Sequence, residues 1–348
     1  MLLLGCILSV LLHVAAGFTT SLSGKWSVIS ANYQSTQNVH GGWDMYSAFY
    51  DEKSFGDPLE GYRDIESRWL AKRNWTFIHK FSWHRDQRDF HSLELYIDGI
   101  DGFGCLFIND RKLSCLDNSF LNEFWRIDGL VKDGAENILR IEFKSSIETA
   151  MQIANSIRRH GDNIPPPDCW PKSYRGECHV NLIRTTQASF GWDWGPAFPI
   201  QGFWNIPKLV YSRYGIRLGE GFKFFSTYRQ RFDGESLWYA DVLIEVRQID
   251  NVGLLDACLL LDLLEKPNVH LRRCFHMGSQ PSKLDVHAVL LEGETDITPW
   301  WPNNIETGPH VYTLRVRLVG PSDELFDEAK HDVGFRTVEL IQLKCELY

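Results

Sequence analysis

At 348 residues and 40.3 kDa, with 44% hydrophobic and 23% charged residues, the chain has room for two or three globular domains and is too apolar for disorder. A formal net charge of −9 and a pI near 5.7 exclude nucleic acid as a partner, because that role needs a basic face against phosphates. Thirteen tryptophans make aromatic stacking a theme of the molecule.

The chain opens on "MLLLGCILSVLLHVAAGF", an apolar run ending in Ala15, Ala16 and Gly17, so residues 1–17 read as a secretory signal peptide. No later stretch has the ~20 consecutive apolar residues of a spanning helix, and no membrane span is expected. Asn74-Trp75-Thr76 is an N-glycosylation acceptor sequence, which fits a surface position in a secreted protein. The segments "SLELYIDGIDGFGCLFIND" (92–110) and "NILRIEFKSS" (137–146) alternate with period two, with Asp98-Gly99 and Asp101-Gly102 as turn signals. Glu148 to Arg159 carries the best helical periodicity, one modest helix on a connection.

Residues 160–208 differ in composition from both flanks, being rich in Pro, Gly, Cys and Trp, and read as a long ordered excursion from the first domain. Within it Cys169 and Cys178 bracket "WPKSYRGE" and form the most readily expected disulfide. Pairing among Cys105, Cys115, Cys258, Cys274 and Cys345 is left open. No Cys-x2-Cys pair occurs, and His79 and His84 fall on opposite faces of a strand, so no metal site is expected. Residues 191–196, "GWDWGP", set a carboxylate between two indoles on a glycine-framed turn. Sugars offer apolar faces to rings and hydroxyls to carboxylates, so Trp192, Asp193 and Trp194 suit a carbohydrate contact. Composition alone favours the plainer reading, in which the two indoles fill a sandwich while Asp193 caps a turn.

Strand alternation resumes in "LWYADVLIEVRQID" (237–250), "HAVLLEG" (287–293) and "HVYTLRVRLVG" (310–320), with a domain boundary near 212. The second domain has the size of an immunoglobulin-like sandwich. The chain is therefore all-β, and the βα alternation of a parallel sheet or barrel is absent.

The segments "NWTF", "LYIDGIDGFGCLFIND", "PPDCWPKSYRGECHVNLIR", "SFGWDWGPAFPIQGFW", "WWPNN" and "VGFRTVEL" resemble, in order, spacing and identity, the N-terminal part of animal lysosomal β-mannosidases. These are glycoside hydrolases of the clan that includes β-galactosidase and β-glucuronidase. The front of the chain departs from the pattern: Asn38-Val39-His40 is present without the preceding Pro-Gly. The resemblance implies a jelly-roll, galactose-binding-like sandwich over 18–211 and an immunoglobulin-like sandwich over 212–338. It implies a retaining enzyme that releases terminal β-mannose from N-glycan-derived oligosaccharides in the lysosome, as a monomer and without metal or organic cofactor. Trp192, Asp193 and Trp194 would hold the sugar, with the Cys169–Cys178 bridge stiffening their loop.

Retaining glycosidases need two carboxyls about 5 Å apart. In this family both lie on a TIM barrel of roughly 250 residues, whereas this sequence ends shortly after Val-Glu-Leu, with residues 339–348 as a truncated tail whose last part, Lys344–Tyr348, lies outside the family pattern. The expectation is a truncated chain with no TIM barrel, no catalytic residue of its own and no activity. The other reading is a non-catalytic carbohydrate-binding or barrel-docking protein. Substitute pairs are unconvincing: Asn122-Glu123 lies in the first sandwich, and Glu294 with Asp296, or Asp256 with Asp262, read as solvated faces. Without a barrel, a face including Trp300, Trp301 and Phe335 is expected to be exposed.

Overall fold

The computed structural model describes residues 17–50, 56–85, 92–169, 175–191, 195–212, 214–233, 235–249, 255–280, 282–305 and 308–338. The signal-peptide expectation, except at its Gly17 boundary, and the tail expectation over 339–348 lie outside these residues. The chain divides into two compact units, one made of Thr19–Arg88 with Leu93–Val210 and the other running from Tyr211 onward. Both are built from antiparallel sheets, and no sheet among the described residues closes into a barrel.

The first unit is the jelly-roll sandwich. Its strands are β1 (Gly17–Ser21), β2 (Gly24–Ser30), β3 (Tyr33–Val39), β4 (Trp43–Asp44), β5 (Trp75–Trp83), β6 (Ser92–Ile97), β7 (Ile100–Asp101), β8 (Phe103–Ile108), β9 (Arg111–Leu116), β10 (Glu123–Arg126), β11 (Ala135–Lys144), β12 (Gly202–Phe203) and β13 (Lys208–Ser212). They form a six-stranded sheet in the order β3-β2-β5-β11-β8-β9, a four-stranded sheet β1-β13-β6-β10, and a small sheet β4-β12-β7. Alternation drives the large sheet: in β11 the residues Ile138, Arg140 and Glu142 look outward while Leu139, Ile141 and Phe143 are buried. Phe203 of β12 seals the core between Trp26 at 4.8 Å and Phe77 at 6.1 Å. His79 of β5 is part of this core, stacked on Trp26 at 4.8 Å with its Nδ1–H donating to the Lys25 carbonyl at 3.0 Å, and burial holds its pKa below the ordinary value. His84 is exposed, so the two histidines do not meet.

Two local outcomes differ from the pattern reading. The segment 92–110 is three strands, and β6 is buried on both faces, Glu94 and Tyr96 included, because it lies inside its sheet beneath neighbouring chain. The helix begins earlier than Glu148: α3, the third helix after α1 (Met45–Phe49) and α2 (Arg63–Glu66), spans Ser146–Arg159. Ser145 caps it by accepting from the Glu148 amide at 3.2 Å, with Arg158 and Arg159 in the last turn against the helix dipole.

The second unit is the immunoglobulin-like sandwich. Strands β14 (Ile216–Phe232), β15 (Glu235–Gln248) and β18 (Ser282–Glu294) form one sheet in the order β14-β15-β18. The strands β16 (Leu255–Leu263), β17 (Lys266–Met277), β19 (Tyr312–Val319) and β20 (Leu325–Val333) form the other, in the order β17-β16-β19-β20. Inward residues of β15 (Trp238, Ala240, Val242) meet those of β16 and β19 (Leu259, Leu261, Leu314) in one core. Phe335 belongs to that core with 0% exposure, against Tyr312 at 5.4 Å and Trp238 at 6.0 Å. This corrects the expectation of an exposed Phe335: the Trp300 amide bonds the Phe335 carbonyl at 2.8 Å, which turns the ring inward. Trp301 does stay at the surface, under the Arg336 guanidinium at 4.2 Å.

Disulfides join Cys105 to Cys115 and Cys258 to Cys274, each pair directly opposite on neighbouring strands, and Cys169 to Cys178 in the long excursion. No described helix is long and apolar enough to cross a membrane.

Candidate functional site

Trp192, Asp193 and Trp194 lie outside the described residues, but the frame on either side of them is defined. On the entering arm, Arg158 of α3 pairs with Asp168 at 2.7 Å, and the Asn181 amide donates to the Pro165 carbonyl at 2.7 Å. The Cys169–Cys178 bridge closes this arm. Just beyond it His179 is buried in a left-handed conformation (φ 65°), its ring 3.4 Å from Asp168. Burial lowers the His179 pKa, against the pull of Asp168.

The two arms then clamp together. Glu177 N–H donates to Phe190 O, and Phe198 N–H donates to Ser189 O, both at 2.7 Å. At Gly191, φ is 93°, and a Cβ would stand 3.0 Å from the Gly176 Cα and 3.2 Å from the Ala197 Cβ. Glycine is favoured there on both counts, since L side chains avoid that backbone region and a methyl group would press on Gly176 and Ala197. Gly191 is therefore part of a buried, tightly packed base.

Beneath the arms are two polar anchors. Glu177 receives Arg68 at 3.5 Å and Lys72 at 3.9 Å, beside Tyr46, whose ring meets Phe198 edge-on at 5.1 Å. Burial pushes the Tyr46 phenol above its ordinary range, with the Arg68 charge opposing. The second anchor is Asp101 at the end of β7, only 2% exposed. Its carboxylate accepts from the hydroxyls of Thr185, of Thr186 at 3.1 Å and of Ser119 at 3.3 Å, and from the Trp204 indole. Burial raises its pKa, and those hydrogen bonds oppose the rise. Sequence reading took Asp101-Gly102 for a plain turn. Only the fold brings residues 84 and 85 positions away onto that carboxylate. The excursion's exit is tied by Gln201, whose Nε2 donates to the Arg73 carbonyl at 2.8 Å.

The carboxylates considered for a catalytic pair are held elsewhere. Asp262 is shared by Arg315 at 3.0 Å and Arg317 at 2.9 Å, Asp256 pairs with His276, and Asp296 pairs with Lys266. The Glu294 carboxylate caps its own turn, accepting from the Thr295 amide at 3.1 Å. Glu123 sits in β10 opposite Ile97. Among the described residues no three His, Cys, Asp or Glu converge as a metal site would require. Asn74 is exposed just before β5, its Oδ1 accepting from the Ser145 amide at 2.9 Å.

Residues 26–205, the whole span that carries this excursion, match the family model described as the glycosyl hydrolase 2 galactose-binding domain-like domain. The chain belongs to that glycosyl hydrolase 2 family. Over 97% of its length it is 37% identical to a β-mannosidase of Bos taurus and 31% identical to one of Capra hircus. It spans 37% of the length of each of these relatives. The β-D-mannosidase structure from Dictyoglomus thermophilum superimposes with a TM-score of 0.69 at 21% identity, covering 93% of this chain and 37% of that one. A glycoside hydrolase family 2 β-glucuronidase gives 0.58 at 12% identity over 93% of this chain. At such low identity these structures establish that the glycosyl hydrolase 2 sandwiches are shared, and the fold alone.

Proposed function

We propose that this protein serves β-mannoside hydrolysis as the non-catalytic, sugar-holding part of a β-mannosidase. In this reading its first sandwich presents Trp192, Asp193 and Trp194 to a terminal, non-reducing β-mannose of N-glycan-derived oligosaccharides. The observation that carries it is the frame around those three residues, inside a chain that matches β-mannosidases over 97% of its length. Clamped arms at Gly176, Gly191 and Ala197, a disulfide, and polar anchors at the half-buried Glu177 and the buried Asp101 are what a site needs for rigid presentation. A loop serving only as packing has no need of such pinning on both sides.

The chemistry of the retaining reaction requires a proton-donating carboxyl and a nucleophilic carboxylate about 5 Å apart, with a covalent glycosyl intermediate between them. The resemblance assigns that pair to a barrel, and among the candidates described above Asp256, Asp262 and Asp296 are paired with cations and Glu294 with backbone. The role of this chain is then orientation: indole faces against the sugar ring and Asp193 on its hydroxyls, which fixes the glycosidic bond for attack. The same reading places the protein in the secretory pathway and lysosome as a monomer, glycosylated at Asn74, with Trp301 on the surface that faces the barrel.

The test is release of 4-nitrophenol from 4-nitrophenyl β-D-mannoside at acidic pH, together with saturation-transfer NMR of methyl β-D-mannoside, on the full chain and on Asp193→Ala. The expected result is no release, with saturation transfer that falls at least several-fold in Asp193→Ala. Release abolished by Asp193→Ala would place catalytic carboxyls in this chain and overturn the non-catalytic role.

A further inference from the structure

The first unit contains a cavity of about 270 Å3 beside α1 and α2. Its wall combines the rings of Tyr46, Phe49 and Tyr50 with the polar ends of Arg63 and Glu66. We propose that this cavity is a second carbohydrate site, which takes a single neutral hexopyranose.

The wall is rigid on its apolar side. Phe49 is 9% exposed and backed by Trp75 at 5.0 Å, and Tyr46 is backed by Phe198 at 5.1 Å, so neither ring can turn away from the opening. Tyr50 stands at the mouth, 45% exposed, as an exposed ring does where a sugar face is to be covered. The Tyr46 hydroxyl has no accessible surface, so it offers nothing to a ligand in the cavity.

The polar side is built as carefully. Gly56 has φ 64°, and the Arg63 guanidinium lies over its backbone, Nη1 2.4 Å from where a Cβ would stand. Arg63 Nη1 donates to Glu60 at 2.5 Å, and its remaining N–H groups have no acceptor among the described residues. Glu66 is exposed and has no cation partner among them. The unoccupied donors of a planar fork suit vicinal hydroxyls, and a free carboxylate accepts from a third.

Charge selects between ligand classes. Arg63 is balanced by Glu60, and Glu66 adds a negative charge, which turns away phosphates and carboxylates. A neutral ring with one apolar face and several hydroxyls satisfies every group named, and the cavity volume limits it to one residue of an oligosaccharide.

This proposal is independent of the role assigned to Trp192, Asp193 and Trp194, and the experiment separates the two. Saturation-transfer NMR is recorded with methyl α-D-mannoside, methyl β-D-mannoside, N-acetylglucosamine and galactose on the full chain carrying Asp193→Ala, so that the motif does not contribute. At least one of these sugars is expected to receive saturation. The transfer should drop at least ten-fold on adding Tyr50→Ala or Arg63→Ala, and several-fold on adding Arg63→Lys, which keeps the charge and loses the fork. Near-ultraviolet circular dichroism matching the parent confirms that each variant is folded, and Arg63→Lys decides the matter should Arg63→Ala fail to fold. Absence of transfer from all four sugars, or transfer that survives both Tyr50→Ala and Arg63→Lys undiminished, overturns the proposal and leaves the motif reading untouched.

Discussion

Replacing Asp101 separates the worth of a buried charge from the worth of its hydrogen bonds. Ser119 is 0% exposed and Thr185 2% exposed, and both hydroxyls end on this carboxylate, as do Thr186 and the Trp204 indole. Asp101→Ala strands at least the two fully buried hydroxyls at about 1–3 kcal/mol each, so a loss of about 2–5 kcal/mol is expected. Asp101→Asn should cost far less, about 1 kcal/mol, because hydroxyls rotate to accept from an amide N–H while Oδ1 stays on the Trp204 indole, a donor with no acceptor role. The pH dependence follows from the direction of the shift. Burial raises the folded pKa above the unfolded one, so between those two values the folded state holds more protons and stability falls as pH rises. The Asp101 contribution therefore improves on acidification through that window, and Asp101→Asn removes the gain. Urea unfolding followed by tryptophan fluorescence at neutral and acidic pH measures both effects. If Asn proves as damaging as Ala, or if the difference between wild type and Asn grows in favour of wild type as pH rises, the account of a desolvated carboxylate held by rotatable donors is wrong.

Gly191→Ala should destabilise the first unit by about 2–4 kcal/mol, from a backbone region that alanine avoids plus overlap with Gly176 and Ala197; a urea midpoint unchanged from wild type would show that the arms are not clamped. His79 has its folded pKa lowered by burial, so the unfolded chain gains protons first and stability is lost as pH falls from the ordinary histidine value through the lowered one. His79→Phe keeps a ring on Trp26 and is expected to flatten that part of the acid-unfolding profile, at the loss of the hydrogen bond to the Lys25 carbonyl.

Much of this molecule is legible in its sequence because the information is local. Period-two runs such as Ala135–Lys144 become strands wherever one face is buried, and the helical run from Glu148 to Arg159 becomes most of α3, whose first turn at Ser146 and cap at Ser145 the periodicity leaves out. The family is legible in motif order, down to the loop bracketed by Cys169 and Cys178, whose bridge spans only nine positions. What the tertiary structure alone decided is which distant residues share a surface. The partnerships Cys105–Cys115 and Cys258–Cys274 are facts of strand register, Phe335 is turned inward by a backbone bond to Trp300, and β6 is covered on the face that its alternation leaves polar. Asp101 looked like a turn residue and is a buried hub for Ser119, Thr185 and Thr186, and the cavity beside α1 is assembled from residues that carry no motif. Propensity and periodicity act over a few residues, whereas burial and hydrogen-bond satisfaction are settled only when sheets pack, and that is where a carboxylate, a ring or a thiol acquires its partner.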